Sequence, residues 1–336
     1  MKPSKTRVPL ICLLTATVIL TVSCGRNEQG ACLPSLPTKT FAMNVVVSGV
    51  PFWIDARATW TALGASHSGI KTVYGGPLKT NAQKQADEID ALLSQGISGL
   101  IIAPADSAGL APAIDRAIAK NVPVVTFLVD SPTSKRLAYV GSEEADASEK
   151  VASYVASGLS ASSKAIVLYA QAGNEEQEDR RSGFLKFSKQ HPELFIVATL
   201  EDNYDESVAA SQLRPLITKY QDVKYIFGCD SRSAVGAVTA LKDLHVAPGT
   251  VTVTGWDEDK DVLDLISSGW VKASVAQNSS YMTMLAFSIL DAQVGGYLYP
   301  STRKFAENSI RPLPEKIIVP VQLVTKDNVQ GYYPKP

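Results

Sequence analysis

Residues 100–130 read LIIAPADSAGLAPAIDRAIAKNVPVVTFLVD, and this stretch decides the fold. Leu100 to Ala103 is an apolar run of strand length, and Val122 to Phe127 is a second one, rich in valine. Between them Ala111, Ile114, Ala117 and Ile118 recur at helical spacing. Both runs are apolar on both faces, as strands must be when helices cover each side of a parallel sheet. The stretch therefore spells strand, helix, strand: one parallel crossover unit.

The alternation continues in both directions. Upstream, Ala82, Ala86, Ile89, Leu92 and Leu93 make a helical face that stops at Gly96, and Met43 to Val47 is an earlier strand. Downstream, strands are expected at Ala165 to Tyr169, Phe195 to Leu200, Tyr225 to Gly228, Val251 to Gly255 and Lys272 to Ala276, with a helical face at Ala234, Ala237, Val238 and Leu241. So many strands exceed one compact sheet, and the expected fold is α/β with two doubly wound parallel-sheet lobes. An apolar fraction of 45% in 336 residues is enough to bury both cores.

Thirty-two basic residues balance 33 acidic ones, so no field is available to hold nucleic acid, and a small, near-neutral partner fits better. The chain opens with Lys2, Lys5 and Arg7, then an apolar run from Val8 to Val22, then Ser23, Cys24 and Gly25. This is the pattern of a secretory signal, too short for a comfortable membrane span. Residues 1–23 are expected to be a signal peptide, and residues 24–39, with Gly30, Pro34 and Pro37, a tether. Cys32 falls in the tether and Cys229 deep in the chain, and neither they nor His67, His191 and His245 have metal-ligand spacing. No metal and no cofactor is expected.

In doubly wound sheets, ligands bind outside the carboxyl ends of the strands. That rule selects Ser48 to Trp53, Pro104-Ala105-Asp106, Leu128-Val129-Asp130, Gln171 to Arg181, Cys229-Asp230-Ser231, Trp256-Asp257-Glu258 and Gln277-Asn278. Carboxylates, an arginine, an amide and aromatics converge there, a mixture that suits a polyhydroxylated ring. Asp106 reads as the cap of the helix that follows, and the run Glu175, Glu176, Glu178, Asp179 as a solvated helix start favoured by the dipole. A dinucleotide enzyme would need a glycine-rich turn after an early strand, where this chain has Pro51-Phe52-Trp53. No P-loop, nucleophile elbow or zinc-protease motif occurs either, so the chain is not expected to be an enzyme.

Seven pieces, in order, resemble the type I periplasmic sugar-binding proteins, the ribose-binding family of ABC-transporter receptors. They are Pro51-Phe52-Trp53, Ile101 to Ser107, Val122 to Phe127, Arg180 to Phe184, Ile226 to Asp230, Thr254 to Asp257 and Ala276-Gln277. The resemblance implies that Phe52 and Trp53 sandwich a sugar ring and that Asp130, Arg180, Asp230, Asp257 and Gln277 bind it. It also implies a hinge of three crossings, near Gly141, Gln277 and Pro314, with one lobe of 40–141 plus 278–315 and another of 142–277 plus 316–331. Cys24 resembles the lipidated first residue of bacterial lipoproteins, with Thr21 where Leu is usual. The implied partners are a monosaccharide, an ABC-transporter permease and a membrane reached through the lipid anchor, and the implied state is a monomer in the periplasm or at the cell surface. Sensing of a sugar or autoinducer on the same fold is the alternative output. A sugar-responsive repressor would carry a DNA-binding helix-turn-helix where this chain has an export signal. Val50, Ala103 and Leu128 stand where the family often has polar groups, which implies a ligand with fewer hydroxyls on that side, such as a deoxy sugar.

Overall fold

The computed structural model describes residues 38–156, 163–298 and 313–333, together with the two short strands Gly25–Arg26 and Cys32–Leu33, which pair antiparallel. The signal peptide, Cys24 and the rest of the tether lie outside the described residues. From Lys39 onward the chain forms two six-stranded sheets.

The first sheet holds β1 (Lys39–Asn44), β2 (Ile70–Gly75), β3 (Gly99–Ile102), β4 (Val124–Phe127), β5 (Ala138–Gly141) and β11 (Lys316–Ile318), in the order β11-β5-β4-β3-β1-β2. All its pairs are parallel. Alternate residues of the central strands face opposite ways. Leu100, Ile102 and Val124 pack with Ile89 of α2 (Ala82–Ser94) and Ile114 of α3 (Ala111–Ala119). Ile101, Val125 and Phe127 pack on the other side with Trp60 of α1 (Trp53–Ser66) and Phe287 of α9 (Ser279–Val294). The double-sided apolar pattern of residues 100–130 is thus the centre of a doubly covered sheet.

The second sheet holds β6 (Ser163–Tyr169), β7 (Leu194–Glu201), β8 (Val223–Gly228), β9 (Thr252–Trp256), β10 (Ala273–Ala276) and β12 (Gln322–Thr325), in the order β12-β10-β9-β8-β6-β7. Only β12 runs antiparallel to its neighbour. One face is covered by α4 (Glu144–Ala156) and α5 (Glu175–Gln190). The other is covered by α6 (Glu206–Lys219), α7 (Ser231–Asp243) and α8 (Lys260–Ser267).

The chain passes between sheets after Gly141, after Ala276 and after Ile318. The third passage lies beyond the place expected near Pro314. Lys316–Ile318 pairs with Tyr139–Gly141, Ile317 packs on the first core, and Val319 N–H donates to Gly141 O at 2.7 Å, so this segment belongs to the first sheet. The first strand also begins earlier than expected, at Lys39, and ends at Asn44, which frees Val45 to Val47 to turn over the end of the sheet.

Candidate functional site

The carboxyl ends of the two sheets face a common cavity. Its two walls differ in kind. From the first lobe come Val46, Val47, Val50, Phe52 and Trp53. The second lobe contributes Glu176, Arg180, Tyr204, Asp230, Arg232 and Asp257, with Gln177 and Ser231 between them.

Arg180 is the organising group of the polar wall. Nε donates to Glu144 Oε2 at 2.8 Å, Nη1 to the Cys229 carbonyl at 2.8 Å, and Nη2 to Gln277 Oε1 at 2.7 Å and to Glu176. Four of five N–H groups are thereby used, which leaves one on Nη1. The guanidinium carbon sits 3.7 Å from the centroid of the Trp256 ring, a desolvated cation–π contact. Arg180 is 2% exposed, so the charge persists there only because Glu144 and Glu176 pair with it. Burial still pushes both carboxyls up, against the pull of Arg180.

Asp257 follows β9 with φ of +73°, a conformation that Asp tolerates better than most residues. Its N–H donates to Val275 O at 2.8 Å, and its carbonyl accepts from the Ser274 hydroxyl at 2.7 Å. The backbone is fixed, and the carboxylate is left with the Ser231 side chain as a hydrogen-bond partner. Burial, with Asp259 and Asp230 nearby, pushes it up to about 7 despite Arg180. Asp230 caps α7, accepting from Ser233 N–H at 2.8 Å. Behind it, buried Asp202 lies 2.6 Å from the Ser233 hydroxyl, which is also 3.0 Å from Asp230, and burial followed by the Asp230 charge raises Asp202 well above the ordinary carboxyl value.

Phe52 and Trp53 meet edge to face at 4.9 Å, and Trp53 also packs on Phe127 at 5.8 Å. Trp53 is 4% exposed and belongs to the lobe core as well as to the cavity wall. Its indole N–H is buried with no hydrogen-bond partner among the described residues.

Five of the seven expected binding residues, Phe52, Trp53, Arg180, Asp230 and Asp257, line the cavity. Asp130 does not. Arg136, six residues on, grips both its oxygens with a guanidinium fork, and Thr126 Oγ1 (2.8 Å) and Ser131 N–H (2.7 Å) fill its remaining sites. It lines a separate small cavity with Glu143, Glu175, Asp179 and Lys316. Gln277 stands behind Arg180, and its Nε2 donates to Glu144 Oε1 at 2.8 Å and Ser142 Oγ at 3.2 Å, which ties two crossing segments together. Nor is the acidic run 175–179 a wholly solvated helix start: Glu176 is 9% exposed and paired with Arg180. An i, i+4 pair lies on one helix face, so the spacing was a readable signal. Tyr204 and Arg232 were also missed. Tyr204 follows the end of β7, a strand already expected at Phe195 to Leu200, so applying the strand-end rule there would have selected its loop, and its φ of +57° marks a constrained turn. Asp106 caps the turn before α3, accepting from Ala108 and Gly109 N–H groups. Among the described residues no cluster of His, Cys, Asp and Glu is arranged to hold a metal ion.

The sequence profile of a family described as "Periplasmic binding protein domain" matches residues 41–297. The ribose import binding protein of Bacillus subtilis is 25% identical over 283 residues, which cover 83% of this chain and 90% of that one. Among solved structures, a solute-binding protein of an ABC transporter from Agrobacterium vitis, bound with alpha-D-tagatopyranose, superposes with a TM-score of 0.78 at 21% identity, covering 87% of this chain and 96% of that one. Another, from Burkholderia graminis in complex with D-arabinose, gives 0.77 at 23% identity, covering 89% and 99%.

Proposed function

The chain belongs to the periplasmic binding protein domain family, and from that premise we propose that it is an extracytoplasmic receptor that captures one monosaccharide between its lobes and delivers it to an ABC transporter. The observation that carries this reading is a cavity walled from both sheets, aromatic and aliphatic on one side and charged on the other. Such a cavity separates the C–H face of a sugar from its hydroxyl edge. The relatives with bound or imported monosaccharides support it.

In this reading Phe52 and Trp53 cover the ring, while Arg180, Asp230 and Asp257 bind hydroxyls. Asp130 and Gln277 support the site from outside it. Binding is without turnover. A thermal-shift screen of monosaccharides against the purified chain tests this: a ligand at about 100 times its Kd adds roughly 2.7 kcal/mol of stability. At least one sugar is expected to raise Tm, and release of altered sugar at catalytic rates refutes the reading. The expectation that Cys24 carries a lipid anchor for a monomeric receptor is checked by mass spectrometry of the membrane fraction, where a mature N-terminus beyond Cys24 without acyl mass rules it out.

A further inference from the structure

The first lobe offers a ligand few side-chain hydrogen bonds. Val46 and Val47 are 3% and 5% exposed and, with Val50 and Phe52, carry no polar side-chain atom into the wall. The polar groups nearby are turned inward. Gln85 Nε2 donates to Ala103 O at 2.9 Å and Gln85 Oε1 accepts from Ala105 N–H at 2.8 Å, while Gln171 also donates to Ala105 O. Leu128 N–H donates to Val140 O at 2.9 Å, and Leu128 O accepts from the Tyr139 hydroxyl at 2.9 Å. Ser48 gives its hydroxyl to Gly76 O at 2.8 Å and its N–H to Pro77 O at 2.8 Å. The Asn44 amide donates to Glu88 at 3.1 Å. Most polar side chains at the strand ends of this lobe are therefore bonded within the protein. The exceptions among these are the Asn44 side-chain oxygen, which only accepts, and the Trp53 indole N–H, which can only donate.

The second lobe is the reverse. Asp257, Asp230 and Glu176 present carboxylate oxygens, and the unused N–H of Arg180 and the Tyr204 hydroxyl, which accepts from Asn174 at 3.3 Å, can donate. A sugar hydroxyl pressed against the side chains of Val46, Val47 and Val50 loses its water and gains no side-chain partner there. A hydrogen or methyl group at the same place loses nothing. Of the three apolar replacements noted in the sequence, only Val50 reaches this wall. Ala103 is wholly buried, and Leu128 lines the smaller cavity beside Asp130.

We propose that the ligand is a deoxy sugar whose hydroxyl-poor edge lies on the first lobe, and that its hydroxyls are read by the second lobe alone, with Trp53 addressing an oxygen that only accepts. This rests on the sugar-receptor reading and narrows it. The test is isothermal titration of the purified chain with matched pairs that differ in one hydroxyl: D-galactose and 6-deoxy-D-galactose, D-glucose and 6-deoxy-D-glucose, D-ribose and 5-deoxy-D-ribose. In at least one pair the deoxy member is expected to bind roughly 10-fold tighter or better, the factor set by one unpaired hydroxyl. Val50→Asn, which places an amide on the apolar wall, is expected to shrink that ratio by raising affinity for the hydroxylated member. If the hydroxylated member binds equally or more tightly in every pair, the deoxy assignment is overturned while the receptor reading stands. If no sugar of any kind binds, both fall.

Discussion

Asp257→Asn is expected to make the ligand-free protein more stable and a weaker binder at once. In the folded chain burial, with help from Asp259 and Asp230, holds this carboxyl at about 7, whereas its ordinary value is 3.8. The folded state therefore binds the proton more tightly than the unfolded chain does. The sign follows from linkage: stability falls as pH rises from about 4 through about 7, and the loss saturates above pH 7 at on the order of 4 kcal/mol. Asparagine carries no charge to desolvate, its side-chain oxygen still accepts from Ser231, and it tolerates the positive φ at this position. Calorimetric melting of both proteins without ligand should show the variant several degrees higher at pH 8, with the gap narrowing toward pH 4 to 5. Titration with the sugar found by screening should show binding weaker by up to about 10-fold, because one charged acceptor worth roughly 1.5 to 3 kcal/mol becomes a neutral one. A variant that melts at or below the parent at pH 8, or a gap that does not narrow in acid, refutes the reasoning.

Arg180→Met leaves Glu144 and Glu176 buried without their cation and is expected to cost about 3 to 5 kcal/mol in a denaturant titration, whereas an unchanged midpoint contradicts the assigned pairing. Gly183→Ala would set a Cβ 2.3 Å from Ala145 O and 2.7 Å from Ala145 Cα, both backbone atoms of α4, so α4 and α5 must part and Tm should drop by several degrees. The Ser233 hydroxyl has one hydrogen for two buried carboxylates, at 2.6 Å from Asp202 and 3.0 Å from Asp230, and burial followed by the Asp230 charge raises Asp202, so Asp202 is expected to hold the second proton. Asp202→Asn, which can still donate, is then expected to retain ligand affinity at pH 7, and Asp202→Ala to lose it; equal loss in both argues for a charged Asp202.

How far the sequence could be read depended on how much of each signal was local. The sheet centres were legible because Leu100, Ile101 and Ile102 or Val124 and Val125 are apolar whichever way they face. The edge strand Ile70–Gly75 was not, because exposed Lys71 and half-buried Thr72 and Tyr74 interrupt its apolar residues on both faces and no apolar run survives. β5, β11 and β12 have three or four residues each, below the length at which a period can be seen. The strand-end rule selected Phe52, Trp53, Arg180, Asp230 and Asp257, which all line the cavity, without knowledge of what each touches. Asp130 is away from the cavity for a reason of partnership rather than position: the residue stands at a strand end as expected, but Arg136 reaches back and takes its carboxylate, and no local pattern announces a fork from six residues away.

The polar wall is gathered on one lobe for the same physical reason. A buried charge persists only with partners, and those of Arg180 come from α4, α5, the turn after β8 and the crossing at Gln277, all within or bordering the second lobe. The first lobe closes its corresponding polar groups on Gln85, Tyr139 and Arg136, which leaves valines and aromatics at its rim. In the proposed receptor, charged groups for recognition are thereby held on one side, and the other side contributes shape and the exclusion of water. The hydrogen bonds from Gln277 to Ser142 and Glu144 place the charged side in direct contact with the first crossing segment, so a ligand that takes the last N–H of Arg180 acts on a group already joined to the hinge.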